Sequence, residues 1–172
     1  YPFYWRYRDL MSGKIEKTIK FSFNILKFKH RIEDPAPEIK PNAADLAVAI
    51  YAKVYEPQDL KNTQLLILHA DNDHKPQDAY MYLGFQRRVR RMPSYAYDAP
   101  QIGMENQYTM DEPTVFNGTM DRFDWKLVGK REMYVPYNSY KAHSGSTKIT
   151  DLIRPNHLNP DYLRYELHRV WV

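Results

Sequence analysis

Cysteine is absent from all 172 residues. That one absence removes disulfides, thiolate nucleophiles and cysteine-based zinc or iron–sulfur sites together, although it does not fix a compartment. Glycine is scarce, at 6 residues. Those glycines form no phosphate-binding P-loop, no dinucleotide-binding G-x-G-x-x-G and no G-x-S-x-G nucleophile elbow, and the zinc-protease H-E-x-x-H is missing too. Nor is there an excess of one charge: 25 Lys and Arg against 21 Asp and Glu leave 25 − 21 = +4. A small, mixed balance supports solubility better than a nucleic-acid footprint. Long apolar runs are also lacking. The longest purely aliphatic one is Leu65 to Leu68, far short of the roughly 18 residues that span a bilayer. The opening Tyr1-Pro2-Phe3-Tyr4-Trp5 has neither the charged start nor the small-residue cleavage site of a signal peptide. The chain begins at tyrosine and stops at Trp171-Val172 within a strand-like pattern, so the expectation is a piece of a longer protein, cut at both ends.

What is present points to β structure. Aromatics make up 15% of the chain, 15 residues being Tyr, and aromatic side chains favour strands. The 12 prolines suit long punctuated connections and do not suit a helical bundle. An apolar fraction of 43% is ample for a packed interior. The length is that of one domain, so residues 1–172 are taken as a single unit.

Period-two alternation is the main local signal, because it places every second side chain on one sheet face. Ile19, Phe21, Phe23 and Ile25 alternate with Lys20, Ser22 and Asn24, and the phase slips at Ile25-Leu26. Such a slip fits a β-bulge, or two short strands meeting at a kink. Residues 30–43, with Pro35, Pro37 and Pro41, read as a connector. Strands follow at 47–55, with Val48, Ile50, Ala52 and Val54 on one face, and at 63–69, apolar on both faces and therefore expected to be buried. Residues 71–76 read as a turn. Residues 79–83 and 86–91 read as a hairpin through Gly84-Phe85. The stretch 92–113 is a long loop, of the kind that is usually functional, and 116–125 has room for one helical turn. Two further strands are expected at 127–137 and 162–172, separated by a polar, Pro-rich connection. Strands in series without crossover elements imply antiparallel pairing. The simplest architecture is one long, curved sheet.

Three clusters could carry chemistry. Asp71, Asp73, His74 and Asp78 place oxygen ligands as calcium loops do, but the turn glycine and the distal glutamate are missing, so an Asx-rich turn explains them. Asp121, Asp124 and Glu132 could supply an acid–base carboxylate pair; helix-start charges and a cross-strand ion pair are the plainer reading. His157 and His168 read as structural hydrogen-bonding residues. The sharpest charge feature is Arg87-Arg88-Val89-Arg90-Arg91. On a strand, Arg87 and Arg91 face one way and Arg88 and Arg90 the other. If one face is covered, at least one pair has to meet carboxylates (Asp98, Asp121, Asp124 and Glu132 are the candidates), aromatic faces or an anionic ligand. Tyr80, Tyr82, Tyr95 and Tyr97 flank the arginines as stacking platforms do in single-strand binders. The small net charge and the lack of an RNP-type motif argue against nucleic acid.

The second half of the chain resembles one bacterial family. The residues that carry the likeness are Gln77-Asp78-Ala79-Tyr80-Met81-Tyr82-Leu83-Gly84-Phe85-Gln86-Arg87-Arg88-Val89-Arg90-Arg91, then Tyr97-Asp98-Ala99-Pro100 and Phe116-Asn117-Gly118. They continue with Asp121-Arg122-Phe123-Asp124-Trp125-Lys126-Leu127-Val128-Gly129-Lys130-Arg131-Glu132-Met133-Tyr134-Val135-Pro136-Tyr137-Asn138. His157-Leu158-Asn159-Pro160 and Arg164-Tyr165-Glu166-Leu167-His168-Arg169-Val170-Trp171-Val172 complete them. Together these are similar to the domain of unknown function 1329, whose members are described as outer-membrane-lipoprotein-like. The likeness covers residues 77–172, while residues 1–76 match it only in kind.

The resemblance implies a Gram-negative bacterium, export to the periplasm or outer membrane, and a mainly β (α+β) fold like that of the Lol-type lipoprotein carriers. That fold is a strongly curved antiparallel sheet, an incomplete barrel whose apolar concave face is covered by helices or loops. The Trp-containing N-terminal segment and the loop at 92–113 are the candidate covers. Family genes lie near those of RND-type exporters, which makes a transporter a candidate partner. The anchoring cysteine of a lipoprotein is absent here. The resemblance carries over no catalytic or ligand-binding residue and no cofactor.

The expected function is therefore that of a non-enzymatic carrier of a lipid or other hydrophobic small molecule, associated with the periplasm or outer membrane. Tyr80, Tyr82, Arg88 and Arg90 are the candidate pocket or rim residues. The alternative is an interaction module that docks on an exporter or outer-membrane protein, with side chains such as Phe21, Phe23 and Trp171 filling the sheet interior.

Overall fold

A computed structural model of the chain describes residues 2–9, 11–33, 39–93, 95–101, 103–154 and 157–172. Its eight strands are β1 (Pro2–Arg8), β2 (Ile15–Lys27), β3 (Leu46–Glu56), β4 (Gln64–Ala70), β5 (Asp78–Leu83), β6 (Arg88–Arg91), β7 (Lys130–Pro136) and β8 (Tyr165–Trp171). The first six form one sheet in chain order, and β7 and β8 form a separate two-stranded sheet. Every pairing from β2 to β6, and that of β7 with β8, is antiparallel. The fold is mainly β, and among the described residues neither sheet closes into a barrel. Two sheets replace the single long one expected, and strands β1 to β4 share the first of them with the Tyr80 hairpin. By compactness the chain forms two units, one of Tyr1–Trp5 with Thr18–Phe123 and one of Arg6–Lys17 with Asp124–Val172.

Register builds the core of the first unit. Opposed residues of an antiparallel pair project to the same face. Phe23 faces Ala52, which faces Leu65, and Ile50 faces Ile67, which faces Ala79. The result is one apolar face running from β2 to β5. Ala79, Ile19, Met81 and Ile67 are its most buried side chains, and Tyr95 and Met110 of the following loop pack onto Ile67 and Ala79. The connection from Met92 onward is thus a cover for the sheet, as expected. It is braced within itself by the Pro100–Thr109 bridge and by backbone bonds from Tyr97 N to Asn117 O at 2.6 Å and from Asp111 N to Tyr97 O at 3.0 Å.

Several expectations are corrected in this unit. The phase slip at Ile25-Leu26 is no bulge or kink: β2 is one strand there, with Ile25 and Leu26 in unbroken register with Ile50 and Ala49, and the irregularity lies between Lys20 and Phe21. The slip marks instead where β2 runs out of cover, Ile25 and Leu26 both being exposed. In β4 only Ile67 is buried; Leu66 and Leu68, on the other face, are half-buried. The N-terminal segment is an edge strand paired in the sheet rather than a separate cover.

The arginine run is the largest correction. Arg87 lies in the hairpin turn at φ 53°, outside the strand, so it does not alternate with Arg91. Strand β6 is an exposed edge on both faces, and none of its arginines meets Asp98, Asp121, Asp124 or Glu132 among the described ion pairs. Arg91 pairs with Asp78 of β5, which holds the guanidinium pKa above its ordinary value, and Arg90 Nη2 donates to Gln86 Oε1 at 2.9 Å.

In the second unit, β7 begins three residues later than the alternation suggested, and β8 pairs along its whole length, Glu132 opposite Arg169 and Tyr134 opposite Leu167. The polar connection carries two short helices absent from the sequence reading, α1 (Tyr140–His143) and α2 (Ile149–Leu152). Buried Asn159 organises it. Its Nδ2 donates to Asp151 O at 2.9 Å and its Oδ1 accepts from Asp161 N at 3.2 Å, capping the turn that starts at Pro160. Glu166 accepts from Asn138 at 2.9 Å and contacts His168 at 3.1 Å and Arg164 at 2.8 Å. The Asn138 bond first, then His168, lowers its carboxyl pKa.

Candidate functional site

The most developed concavity lies in the first unit, between the apolar sheet face and its loop cover. It encloses about 550 Å³, within the range of roughly 300 to 1,000 Å³ typical of small-molecule pockets. The floor alternates in step with the strands: Phe21 and Phe23 from β2, Ile50, Ala52 and Val54 from β3, Leu65 and Ile67 from β4, and Met81 from β5. Phe3 and Trp5 of β1 close one side, where Phe3 stacks on Phe21 at 5.6 Å and Trp5 meets Phe21 edge-on at 5.0 Å. The roof is Met104, Tyr108, Met110 and Phe116 of the loop, with Tyr108 edge-on to Trp5 at 4.7 Å. Burial, and second the charge of Glu112, raises the pKa of the Tyr108 hydroxyl, keeping it protonated. Polar groups are few here: Thr63, Gln64, His69, Gln101, Thr114 and Asn117.

A second, more polar cavity of about 440 Å³ adjoins the first. His69, Tyr95, Asn117 and Gly118 line both. Its other walls include Asp73, Lys75, Gln77, Asp98 and Arg122. Tyr97 anchors it: its hydroxyl bonds to Thr119 Oγ1 at 2.8 Å and accepts from Thr119 N at 3.1 Å, and the Arg122 guanidinium lies 4.4 Å over its ring, a cation–π distance. His69 sits at the junction with its pKa lowered by burial, which favours the neutral imidazole. Gln77 donates from Nε2 to the Tyr95 carbonyl, and its buried Oε1 has no partner among the described residues.

The structure does not bring the sequence candidates into the apolar cavity. Tyr80 and Tyr82 are on β5 beside Ala79 and Met81, and period two sends them to the opposite face. Arg88 and Arg90 stand opposite Leu83 and Met81 in register, so they belong to the cavity side of the sheet, but they are exposed at its edge and line neither cavity. Phe21 and Phe23 do line the apolar cavity; Trp171 is on β8 and is exposed.

Three of the four metal-like residues, all but Asp73, have separate partners. Asp71 binds Lys29 at 2.9 Å and His30 at 2.5 Å, His74 binds Asp121 at 2.5 Å, and Asp78 binds Arg91. Lys29 first, then His30, holds the Asp71 carboxyl below its ordinary pKa. Among the described residues no group of His, Asp and Glu is placed to hold a metal ion. Asp121 is thus engaged by a histidine, and Glu132 lies exposed opposite Arg169. His157 bonds to the Leu158 carbonyl at 2.9 Å, and His168 bonds to Glu166 and packs on Tyr137 at 4.3 Å, the hydrogen-bonding roles expected of both.

Sequence reasoning missed the loop residues Met104, Tyr108 and Met110 and the edge residues Phe3 and Trp5. No periodicity marks them, since none but the edge pair lies in a strand. The alternation of Leu65, Ile67 and His69 could have identified their face, had anything told the inner face from the outer.

The chain matches, over residues 1–172, the family described as a protein of unknown function (DUF1329), and it belongs to that family. It is also 40% identical over 147 residues to an uncharacterised protein of Pseudomonas aeruginosa. That match covers 84% of this chain and 31% of the Pseudomonas protein, so the chain spans about a third of that relative's length. No solved structure matches it. Among the described residues no helix is long and apolar enough to cross a membrane.

Proposed function

We propose that this domain binds a hydrophobic, lipid-like ligand in the cavity between the β2–β5 face and the 95–118 loop, as a carrier rather than an enzyme. The observation that carries the reading is the cavity itself: about 550 Å³, faced by aromatic, aliphatic and methionine side chains from five strands and a loop. Burying apolar ligand surface against such a wall is worth about 25 cal/mol per Å². Methionines such as Met81, Met104 and Met110 adapt to irregular tails better than branched side chains do. An apolar face with a loop cover, on a sheet that does not close, also supports the finer expectation of an incomplete barrel of the lipoprotein-carrier type. Family membership favours a place in the periplasm or at the outer membrane of a Gram-negative bacterium.

A second reading draws on the other unit. Trp125, Tyr134, Leu167 and Trp171 are all more than half exposed there, and exposed aromatic groups of this kind mark docking surfaces. An RND-type exporter is the partner that reading names.

Native mass spectrometry of the full-length protein, purified from its own periplasm and gently denatured, separates the two. Release of a lipid-sized mass supports the carrier. A ligand-free mass that does not shift on adding fatty acids or phospholipids overturns it and moves the search to the exporter.

A further inference from the structure

The two cavities of the first unit differ in chemistry and share a wall. The apolar one takes a tail. The second, more polar one shares four lining residues with it: His69, Tyr95, Asn117 and Gly118. Size limits the tail. A cavity of about 550 Å³ is of small-molecule size, within roughly 300 to 1,000 Å³, which fits one acyl chain.

The polar cavity limits the head. Its walls carry two cations, Lys75 and Arg122, and two carboxylates, Asp73 and Asp98. None of the four is in an ion pair among the described residues. Arg122 is nonetheless held in place. Its guanidinium lies 4.4 Å over the Tyr97 ring, and the Thr119 hydroxyl, 2.8 Å away, pins the ring's own hydroxyl. A positioned guanidinium fits a phosphate or carboxylate through paired N–H donors. A bare anion at this site would also face Asp73 and Asp98, and a bare cation would face Lys75 and Arg122. All four groups are solvent-exposed, and a head that carries both signs is complementary to the two cations and the two carboxylates together.

Resting on the carrier reading, we propose that the ligand is a single-chain zwitterionic amphiphile. Its acidic group lies on Arg122 and Lys75, its ammonium lies towards Asp98 and Asp73, and its tail crosses the His69–Tyr95 junction into the apolar cavity. The chemical class is that of a lysophosphatidylethanolamine.

The test uses the full chain, freed of lipid, and four probes of equal chain length below their micelle concentrations: lysophosphatidylethanolamine, the fatty acid, the alkylamine and the alkanol, each titrated by calorimetry. The zwitterion is expected to bind about tenfold tighter than either simple ion, a difference of about 1.4 kcal/mol. Arg122→Gln should lower the ratio of zwitterion to alkylamine affinity, and Asp98→Asn the ratio of zwitterion to fatty acid affinity. Each substitution lowering its own ratio, and not the other's, does not arise from partial unfolding. Equal affinities for all four probes, with both ratios unmoved by the substitutions, would overturn the head-group assignment and leave the apolar site standing. Failure of every probe to bind, the alkanol included, would overturn the carrier reading itself.

Discussion

The ring of Tyr97 lies directly against the backbone of Gly118. A Cβ at Gly118 would overlap three of the ring's carbons. The ring cannot swing aside cheaply, because its hydroxyl is bonded to Thr119 and its face carries Arg122. The need for glycine is one of close approach. Gly118→Ala is therefore expected to lower stability by about 1–3 kcal/mol, the usual cost of forcing extra atoms into a packed site. Urea unfolding monitored by tryptophan fluorescence measures it. An unchanged midpoint would mean that the Tyr97 loop does not sit on Gly118.

Ile67 and Ile25 test the core in a single comparison. Both belong to alternating apolar strands, and both face Ile50 in register. Ile67 is 4% exposed and packs on Ala79, Tyr95 and Met110, whereas Ile25 is 57% exposed. Ile67→Ala should cost about 2–5 kcal/mol through lost burial and the cavity left behind. Ile25→Ala should fall within about 0.5 kcal/mol of the parent. Equal costs from equilibrium unfolding would mean that the loop does not cover the sheet at β4.

Ala52 offers a way to close the apolar cavity from its floor. It sits on β3 between Phe23 and Leu65 and lines the cavity. Ala52→Phe would extend a ring into the space that the proposed tail fills, with room to do so without the strain of an already filled core. The expected outcome is a thermal midpoint at or above that of the parent, with at least about a tenfold loss in affinity for a fluorescent fatty acid, a change of about 1.4 kcal/mol. Retained affinity would place the tail elsewhere.

Much of the sheet could be read from the chain, because period two is a strong signal wherever one face is covered. Phe21, Phe23, Ile50, Ala52 and Val54 line up in the structure as their spacing predicts. What alternation lacks is a sign. Along 79–83 the sequence offers Tyr80 and Tyr82 on one face and Ala79 and Met81 on the other, and the tyrosines look the better binding groups. The structure buries Ala79 and Met81 instead. That choice is fixed by the incoming loop, which seats Tyr95 and Met110 on Ala79, a contact across many residues that no local pattern records. The arginine run misled for a related reason. Reading 86–91 as strand assigned Arg87 a face, whereas the turn takes four residues and gives Arg87 a positive φ. The polar cavity was illegible altogether, since Lys75, Asp98 and Arg122 come from three separate loops.

His69 connects the site to pH. It lines both cavities, and burial lowers its pKa from the ordinary 6.5. Its neutral form is therefore favoured in the folded chain, while the unfolded chain binds a proton as the pH falls through about 6.5. Where the unfolded state binds more protons, stability rises with pH. The contribution of His69 is accordingly complete above pH 6.5 and is lost as the pH drops below it towards the lowered native value. Between pH 7.5 and 5.5 the thermal midpoint of the parent should fall by more than that of His69→Leu, in which nothing at this position titrates. Parallel losses in the two proteins would assign the acid sensitivity to other groups and leave His69 as packing alone.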